Sequence, residues 1–371
     1  MKFLLCGGGT GGHVTPALSV AQKLKELSRD NEIHFIGRLG GRENSAVIKA
    51  GIPLSELEIY GIKRSLSFSN VKRVICAISA VKKAKKLIKS FSPDVILGTG
   101  GYVCWPVLVA GRRLGIPTAI HESNVYPGLV TRLLAKKCKA VLINKDQTRR
   151  YLGRGGRTIT VGNPISSEIY RTKRADARRI IGLKSDDVFI LSFGGSGGAD
   201  VFNTAIYGLM REFSAQTRGV THLHATGRAY YDKWISEKEM PNGCKVTPYI
   251  ENMPRYLSAA DIVITRCGAM TLSELSAAGC CSVLIPSPNV TADHQRKNAR
   301  ELQDSGAAIM IDEMELSDGK LISCVTRLYK TPELRRALSL KIAQHRTPKA
   351  ADDIAKILCE LGEDKKGKKQ R

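Results

Sequence analysis

Three glycine-bearing turns and a few titratable side chains set the chemistry open to this sequence. Residues 7–13 read GGGTGGH, so Gly7, Gly9 and Gly12 satisfy the spacing G-x-G-x-x-G and His13 follows at once. Glycines at a strand-to-helix turn let the backbone approach a ligand closely and aim free N–H groups at an anion, which the helix dipole also attracts. The same turn also closes tightly with no ligand at all. Residues 194–199 (GGSGGA) and 265–274 (TRCGAMTLSE) repeat the arrangement further along the chain. Two such turns at the carboxyl ends of strands in one sheet are able to surround a nucleotide diphosphate. Glu274 then falls in the first turn of a helix, where a carboxylate takes both hydroxyls of a ribose. Thr271 and Glu274 equally form T-x-x-E, a capping box that needs no ligand.

Several ligands are disfavoured by the same residues. A nicotinamide cofactor wants an acidic residue at the end of the second strand, yet residues 33–38 (IHFIGR) end in Gly37 and Arg38. Arg38 suits a 2′-phosphate, which keeps an NADP-dependent oxidoreductase as an alternative. A P-loop requires Gly-Lys-Ser/Thr, and here Gly12 is followed by His13 and Val14. No HExxH, paired His/Cys spacing or DxD motif marks a metal site, so no metal or other cofactor is expected. His222 and His224 alternate along one strand and are expected to pack or to face solvent.

The elements that must position these turns follow from the apolar pattern. Short apolar runs that end in Gly alternate with segments of helical period, as in parallel sheets with crossover helices. Strands are predicted near 2–6, 32–37, 94–98, 117–121, 140–143 and 158–162, and again near 188–193, 221–226, 244–249, 261–265, 281–286 and 307–311. FLLCGGGTGGH (3–13) and FILSFGGSGGA (189–199) run the same way from strand into turn, which suggests two similar halves. The predicted fold class is α/β, with two Rossmann-like parallel-sheet domains. Residues 162–174 (GNPISSEIYRTKR) form the linker, giving domains 1–163 and 164–349. A short amphipathic helix (350–361) and a basic tail without structure, within 350–371, complete the chain.

Composition bounds the partners. A chain of 371 residues exceeds the roughly 250–300 at which a single core stops growing. The net charge of +24 points to an anionic partner. Residues 1–163 carry 27 Lys and Arg against 9 Asp and Glu, so the first half dominates the field. Nucleic acid is not expected as that partner, because aromatics are only 6% and no RNP, KH or helix-turn-helix pattern is evident. The ten cysteines are scattered without CxxC and read as buried thiols in a reducing compartment. No signal peptide or spanning apolar run is visible, so a cytosolic protein or one peripheral to a membrane is expected.

Taken together, GGGTGGHVTPAL (7–18), GTGGYVCWP (98–106), IHESN (120–124), GGSGGA (194–199), TRCGAMTLSEL (265–275) and ADHQRKNA (292–299) resemble the MurG-type transferases in order and spacing over about residues 1–360. The resemblance implies the GT-B fold, with its two domains facing across a cleft. It also implies metal-independent, inverting transfer of N-acetylglucosamine from UDP-N-acetylglucosamine to lipid I, the undecaprenyl-diphospho-N-acetylmuramoyl-pentapeptide of peptidoglycan synthesis, at the cytoplasmic face of the bacterial inner membrane. By the same resemblance Glu274 binds the ribose, Gly194, Gly195 and Ser196 approach the diphosphate, and Ala269, Met270 and Thr271 supply donors around phosphates and sugar. Gln295 and Asn124 match positions for the sugar hydroxyls, and Thr10, Gly11 and Gly12 are further candidate substrate contacts. His13 lies near the reacting centre as candidate base, with Glu122 competing. Gly197 and Ser166 stand where the family usually has Gln and Arg, Ser123 where Gln is common, and Cys104 and Trp105 where small residues are usual. A GT-B-like UDP-N-acetylglucosamine 2-epimerase shares the donor fold and remains the nearest alternative.

Residues 62–90 suggest how such a protein meets a membrane. From Lys63 to Lys89 there are nine basic residues and no acidic one, while Val71, Val74, Ile75, Ile78 and Val81 recur at helical spacing. The expectation is a helix whose stripe mostly packs inward, with Ile62, Leu66, Phe68 and the lysines reaching an anionic lipid surface. A crossover helix with merely solvated lysines is the competing reading.

Overall fold

The computed structural model describes residues 1–41, 44–61, 69–153, 156–184, 186–195 and 197–369. These residues divide into two compact units, Met1–Ile165 with Thr347–Arg371, and Ser166–Arg346. Unit 1 holds strands β1 (Lys2–Cys6), β2 (Glu32–Arg38), β3 (Leu54–Leu57), β4 (Val95–Gly98), β5 (Thr118–Glu122), β6 (Ala140–Ile143) and β7 (Arg157–Thr160). Unit 2 holds β8 (Val188–Phe193), β9 (Val220–Ala225), β10 (Cys244–Thr247), β11 (Ile262–Thr265), β12 (Ser282–Leu284) and β13 (Ile309–Met310). Their orders are β3-β2-β1-β4-β5-β6-β7 and β10-β9-β8-β11-β12-β13. All pairs of neighbouring strands are parallel. Both sheets thus reverse direction once, between β1 and β4 and between β8 and β11, as doubly wound nucleotide-binding folds do.

In unit 1 alternate residues of β1 feed two cores. Leu4 and Cys6 pack on one face of the sheet with Val81, Ala84 and Ile88 of helix α2 (Ser69–Phe91) and Val107 and Leu108 of α3 (Cys104–Arg113). Phe3 and Leu5 pack on the other, with Val14, Ala17, Val20 and Leu24 of α1 (Gly11–Leu27). This two-sided burial explains why the strands read as continuous apolar runs. It also shows that the inward stripe of α2 faces its own sheet. The side chains of residues 71, 74 and 75 lie outside the described ones, as do residues 62–68 and so the expected membrane contacts Ile62, Leu66 and Phe68.

The structure differs from the sequence reading at three places. β3 was not anticipated, because LSEL is a short run half polar in character; it sits at the sheet edge and pairs with β2 alone. The segment 350–371, set apart in the sequence reading, groups with unit 1: Ile354, Ala355 and Leu358 join the α1 side of the core. Finally, the helix expected to stop at 361 continues, since Leu361 is also buried and Lys365 Nζ donates to the Pro93 carbonyl at 2.7 Å.

Candidate functional site

In unit 1 the chain leaves β1 and β4, on either side of the reversal, through glycine turns that enter α1 and α3. Gly11 and Gly12 open α1 with Thr10 as N-cap; Thr10 makes no side-chain cap, and the first turn carries no acidic residue. The first four N–H groups of a helix lack intrahelical partners, so this end suits an anion. The two turns are tied together. Gly8 N donates to Gly100 O at 3.3 Å, and the Thr99 hydroxyl lies 2.6 Å from the His13 carbonyl and 3.1 Å from that of Cys6. Gly101, at φ 83°, leaves room for the Gly8 carbonyl that any Cβ would strike.

His13 is held at this junction with a defined tautomer. Its Nδ1 is 2.9 Å from the Gly8 carbonyl. A carbonyl only accepts, so Nδ1 carries the proton and donates, which leaves the lone pair on Nε2. A side chain at Gly100 would crowd that nitrogen, which again requires glycine beside the ring. The result is a basic nitrogen on a partly exposed residue in the first turn of α1, beside the glycine turn that enters α3.

Glu122, at the end of β5, is in a different situation. Only 6% exposed, it accepts at Oε1 from Asn124 N (3.0 Å) and Asn124 Nδ2 (3.1 Å), and at Oε2 from Gly128 N (2.9 Å) and Thr131 Oγ1 (2.7 Å). Both oxygens are therefore occupied in holding the HESN segment to helix α4 (Leu129–Leu134). Asn124, expected at sugar hydroxyls, directs its amide nitrogen at Glu122.

In unit 2, α5 (Asp200–Leu209) follows β8, and α7 (Ala269–Ala278) follows β11; α6 (Met253–Ala259) lies between them in sequence. The N-cap of α7 is Gly268, and no side chain caps it. Thr271 is thus the third helical residue and Glu274 the sixth. That places Glu274 in the second turn rather than the first, and the T-x-x-E capping box is not formed. Among the described residues the Glu274 carboxylate has neither hydrogen bond nor ion pair. Though partly exposed, it is surrounded closely enough by protein that desolvation pushes its pKa up to about 7. Ala269 and Met270 are the first two residues of the helix, and Met270 is buried.

Gln295, in α8 (His294–Asp304), accepts at Oε1 from Cys267 N (3.2 Å) and Ser287 N (2.9 Å). Two N–H donors on one atom identify it as the oxygen, so the amide nitrogen faces the other way. Ala269, Met270, Thr271, Glu274 and Gln295 thus gather around the end of β11. Ser196 lies outside the described residues.

Two buried polar groups lie beside this end, of which Arg266 was not singled out from sequence. Arg266, 6% exposed, pairs with Glu313, reaches the carbonyls of Ile285 (3.3 Å) and Pro286 (3.4 Å), and lies over the Phe202 ring at 5.3 Å. The signal was a charged residue ending an apolar strand. The second group is a chain of five side chains, with His222 and His224 fully buried and held neutral by desolvation, their pKa values lowered to about 3. The chain runs from Ser214 Oγ to His222 Nδ1 (2.9 Å), from His222 Nε2 to Ser192 Oγ (2.8 Å), from Ser192 Oγ to His224 Nδ1 (2.9 Å), which also lies 3.1 Å from the Ser192 carbonyl, and from His224 Nε2 to Asn203 Oδ1 (3.2 Å), while Asn203 Nδ2 donates to the Thr226 carbonyl (3.0 Å). Thr226 in turn packs against Gly198 of the GGSGG turn, so the chain braces a candidate diphosphate loop. The histidines pack, as expected.

Comparison with known proteins identifies the family. The Glycosyltransferase family 28 N-terminal domain matches residues 3–143, and the Glycosyltransferase family 28 C-terminal domain matches residues 189–354. The chain is 39% identical over 365 residues to the UDP-N-acetylglucosamine--N-acetylmuramyl-(pentapeptide) pyrophosphoryl-undecaprenol N-acetylglucosamine transferase of Bacillus licheniformis, covering 97% of this chain and 99% of that one. It is 37% identical over 364 residues to the protein of that name from Bacillus cytotoxicus, with the same coverage. Among solved structures, Acinetobacter baumannii MurG aligns with a TM-score of 0.75 at 27% identity, over 97% of this chain and 99% of that one. A Neisseria meningitidis UDP-GlcNAc 2-epimerase aligns at 0.66 with 14% identity, over 97% and 100%, a likeness of fold alone. The chain, built as two parallel-sheet units of the GT-B type, belongs to glycosyltransferase family 28 and within it to the MurG-type N-acetylglucosamine transferases.

Proposed function

We propose that the chain transfers N-acetylglucosamine from UDP-N-acetylglucosamine to a hydroxyl of lipid I, with inversion at the anomeric carbon, giving lipid II. The observation that carries the donor half is the Glu274 carboxylate, without a partner among the described residues, in the helix whose N-terminus stands at the reversal point of unit 2. Ionised, it accepts from both ribose hydroxyls. The N–H groups of Ala269, Met270 and Thr271 then meet the diphosphate, whose negative charge grows as UDP leaves. The Gln295 amide nitrogen serves a sugar hydroxyl, with Ser196 a further donor to the phosphates.

On the acceptor side, His13 is the base. Its Nε2 takes the proton from the acceptor hydroxyl as that oxygen attacks the anomeric carbon. Gly11, Gly12 and Thr10, at the start of α1, hold phosphate beside it. Glu122 orders the HESN segment, and Asn124 contributes through its position there.

Basic unit 1 docks the enzyme on anionic lipid at the cytoplasmic face of the membrane. In keeping with this, no described helix is long and apolar enough to cross a bilayer. Incubation with labelled UDP-N-acetylglucosamine and lipid I, with and without EDTA, tests the whole reading. Labelled lipid II that requires lipid I and survives EDTA is expected. Release of epimerised sugar with no acceptor present would establish the epimerase instead.

A further inference from the structure

We propose that unit 2 carries a second anion site, for a phosphorylated small molecule with an organic part, in a cavity at the amino-terminal edge of its sheet. The cavity measures about 530 Å³, within the roughly 300–1,000 Å³ typical of small-molecule sites. It lies by Asp261, just before β11, and Gly279, just after α7, at the opposite strand ends from the donor turns.

Charge sets it apart. Four arginines, Arg174, Arg335, Arg336 and Arg346, line it against a single carboxylate, Asp261. That carboxylate is already engaged, by Arg174 at 2.6 Å, by Arg178 at 3.0 Å and by the Phe189 N–H at 2.9 Å. Arg346 is anchored through Nε to the Ser276 carbonyl (3.2 Å) in the last turn of α7. Arg335 is anchored to the carbonyls of Leu328 (2.5 Å) and Tyr329 (2.9 Å) in the preceding helix, α9 (Lys320–Lys330). These anchors use one or two of the five N–H groups on each guanidinium and fix its position, while each helix C-terminus contributes only about half a negative charge. Helix capping therefore accounts for where Arg335 and Arg346 sit but leaves a cationic excess.

Capping does not account for Arg336. In α10 (Pro332–Ala343), it has no hydrogen bond or ion pair among the described residues, yet it lines the same cavity. Guanidiniums that line one space, two of them held by helix-end carbonyls and a third, Arg336, exposed, are a receptor for phosphate, which their planar forks match. Tyr170, Leu257, Ile169 and Pro332 supply apolar wall for the rest of the ligand. The ten residues of α7 put about 15 Å between this site and the donor end, so both are able to fill at once.

The test is a calorimetric titration of the full chain with inorganic pyrophosphate, at constant ionic strength and with UDP saturating so that the donor site is closed. Besides binding at the phosphate turn of α1, saturable binding is expected with one Arg336-dependent site per chain. Arg336→Glu weakens it at least tenfold and Arg336→Lys weakens it less, with melting temperature and UDP affinity unchanged because Arg336 holds no other element. Absence of saturable binding, or equal affinity in Arg336→Glu, would overturn the proposal. UDP affinity measured on the same samples separates this outcome from a failure of the transferase reading.

Discussion

Thr131 Oγ1 lies 2.7 Å from Glu122 Oε2, and both side chains are buried. With Gly128 N on the same oxygen and Asn124 on the other, Glu122 is a four-contact bracket between the end of β5 and α4. Glu122→Gln must turn an NH2 group toward donors on one side. A loss of about 1.5–3 kcal/mol is expected, the worth of a hydrogen bond to a charged group. Denaturant unfolding measures it, and Thr131→Val should lose part of the same energy. A variant of undiminished stability whose turnover falls by several orders of magnitude would make Glu122 the base.

His13 carries the opposite expectation. Its Nδ1 bond to Gly8 O holds the ring, and its Nε2 has the chemistry to do. His13→Ala and His13→Gln should lower kcat by about 10²–10⁴, the usual range for a general base, with little change in melting temperature. Near-native turnover of His13→Ala at saturating substrate would assign His13 to phosphate binding alone.

How legible this site was depends on the residue. Glycine turns announced both reversal points, because only glycine permits approaches such as Gly101 to the Gly8 carbonyl, and such positions leave a mark in sequence. The role of Glu122 was not legible. Its four donors come from residues 124, 128 and 131, whose convergence depends on how the chain folds back after β5. The T-x-x-E spacing was read with a capping alternative that fails because the helix begins two residues before Thr271. Likewise Ile354 and Leu358 revealed an amphipathic helix, but not that its apolar side would complete the first unit's core.

Glu274 gives two pH dependences of opposite sign. Its carboxyl is raised from the ordinary 4.5 to about 7 by burial. Between those values the native state holds a proton that the unfolded chain has released. Stability therefore falls as pH rises from 4.5 to 7, and Glu274→Gln should remove that slope. Donor binding runs the other way, since the ionised carboxylate is the better acceptor for ribose. UDP affinity should increase as pH climbs through about 7. Glu274→Ala should weaken it tenfold or more, by about 1.5–3 kcal/mol, without loss of stability. If the variant melts lower and binds UDP as before, Glu274 belongs to the fold and not to the donor.

The proposed membrane docking rests on the second helix. Ala80, Val81, Ala84 and Ile88 are buried toward the sheet, whereas Lys82, Lys83 and Lys86 are exposed, Lys85 is partly so, and Ile78 is 55% exposed. Inward packing and outward charge are thus separate faces of one helix, and reversing the charges leaves the core untouched. A lysine near an anionic surface contributes about 1 kcal/mol, so four changed to glutamate should weaken vesicle binding by orders of magnitude. Such binding should also fall as salt rises, because screening shortens to about 3 Å at 1 M. Co-sedimentation of the wild type and the Lys82, Lys83, Lys85 and Lys86→Glu variant with anionic and neutral vesicles measures this, with melting temperature as the control for folding. Equal binding to both vesicle types, unaffected by charge reversal, would leave these lysines as a solvated face and rule electrostatic docking out.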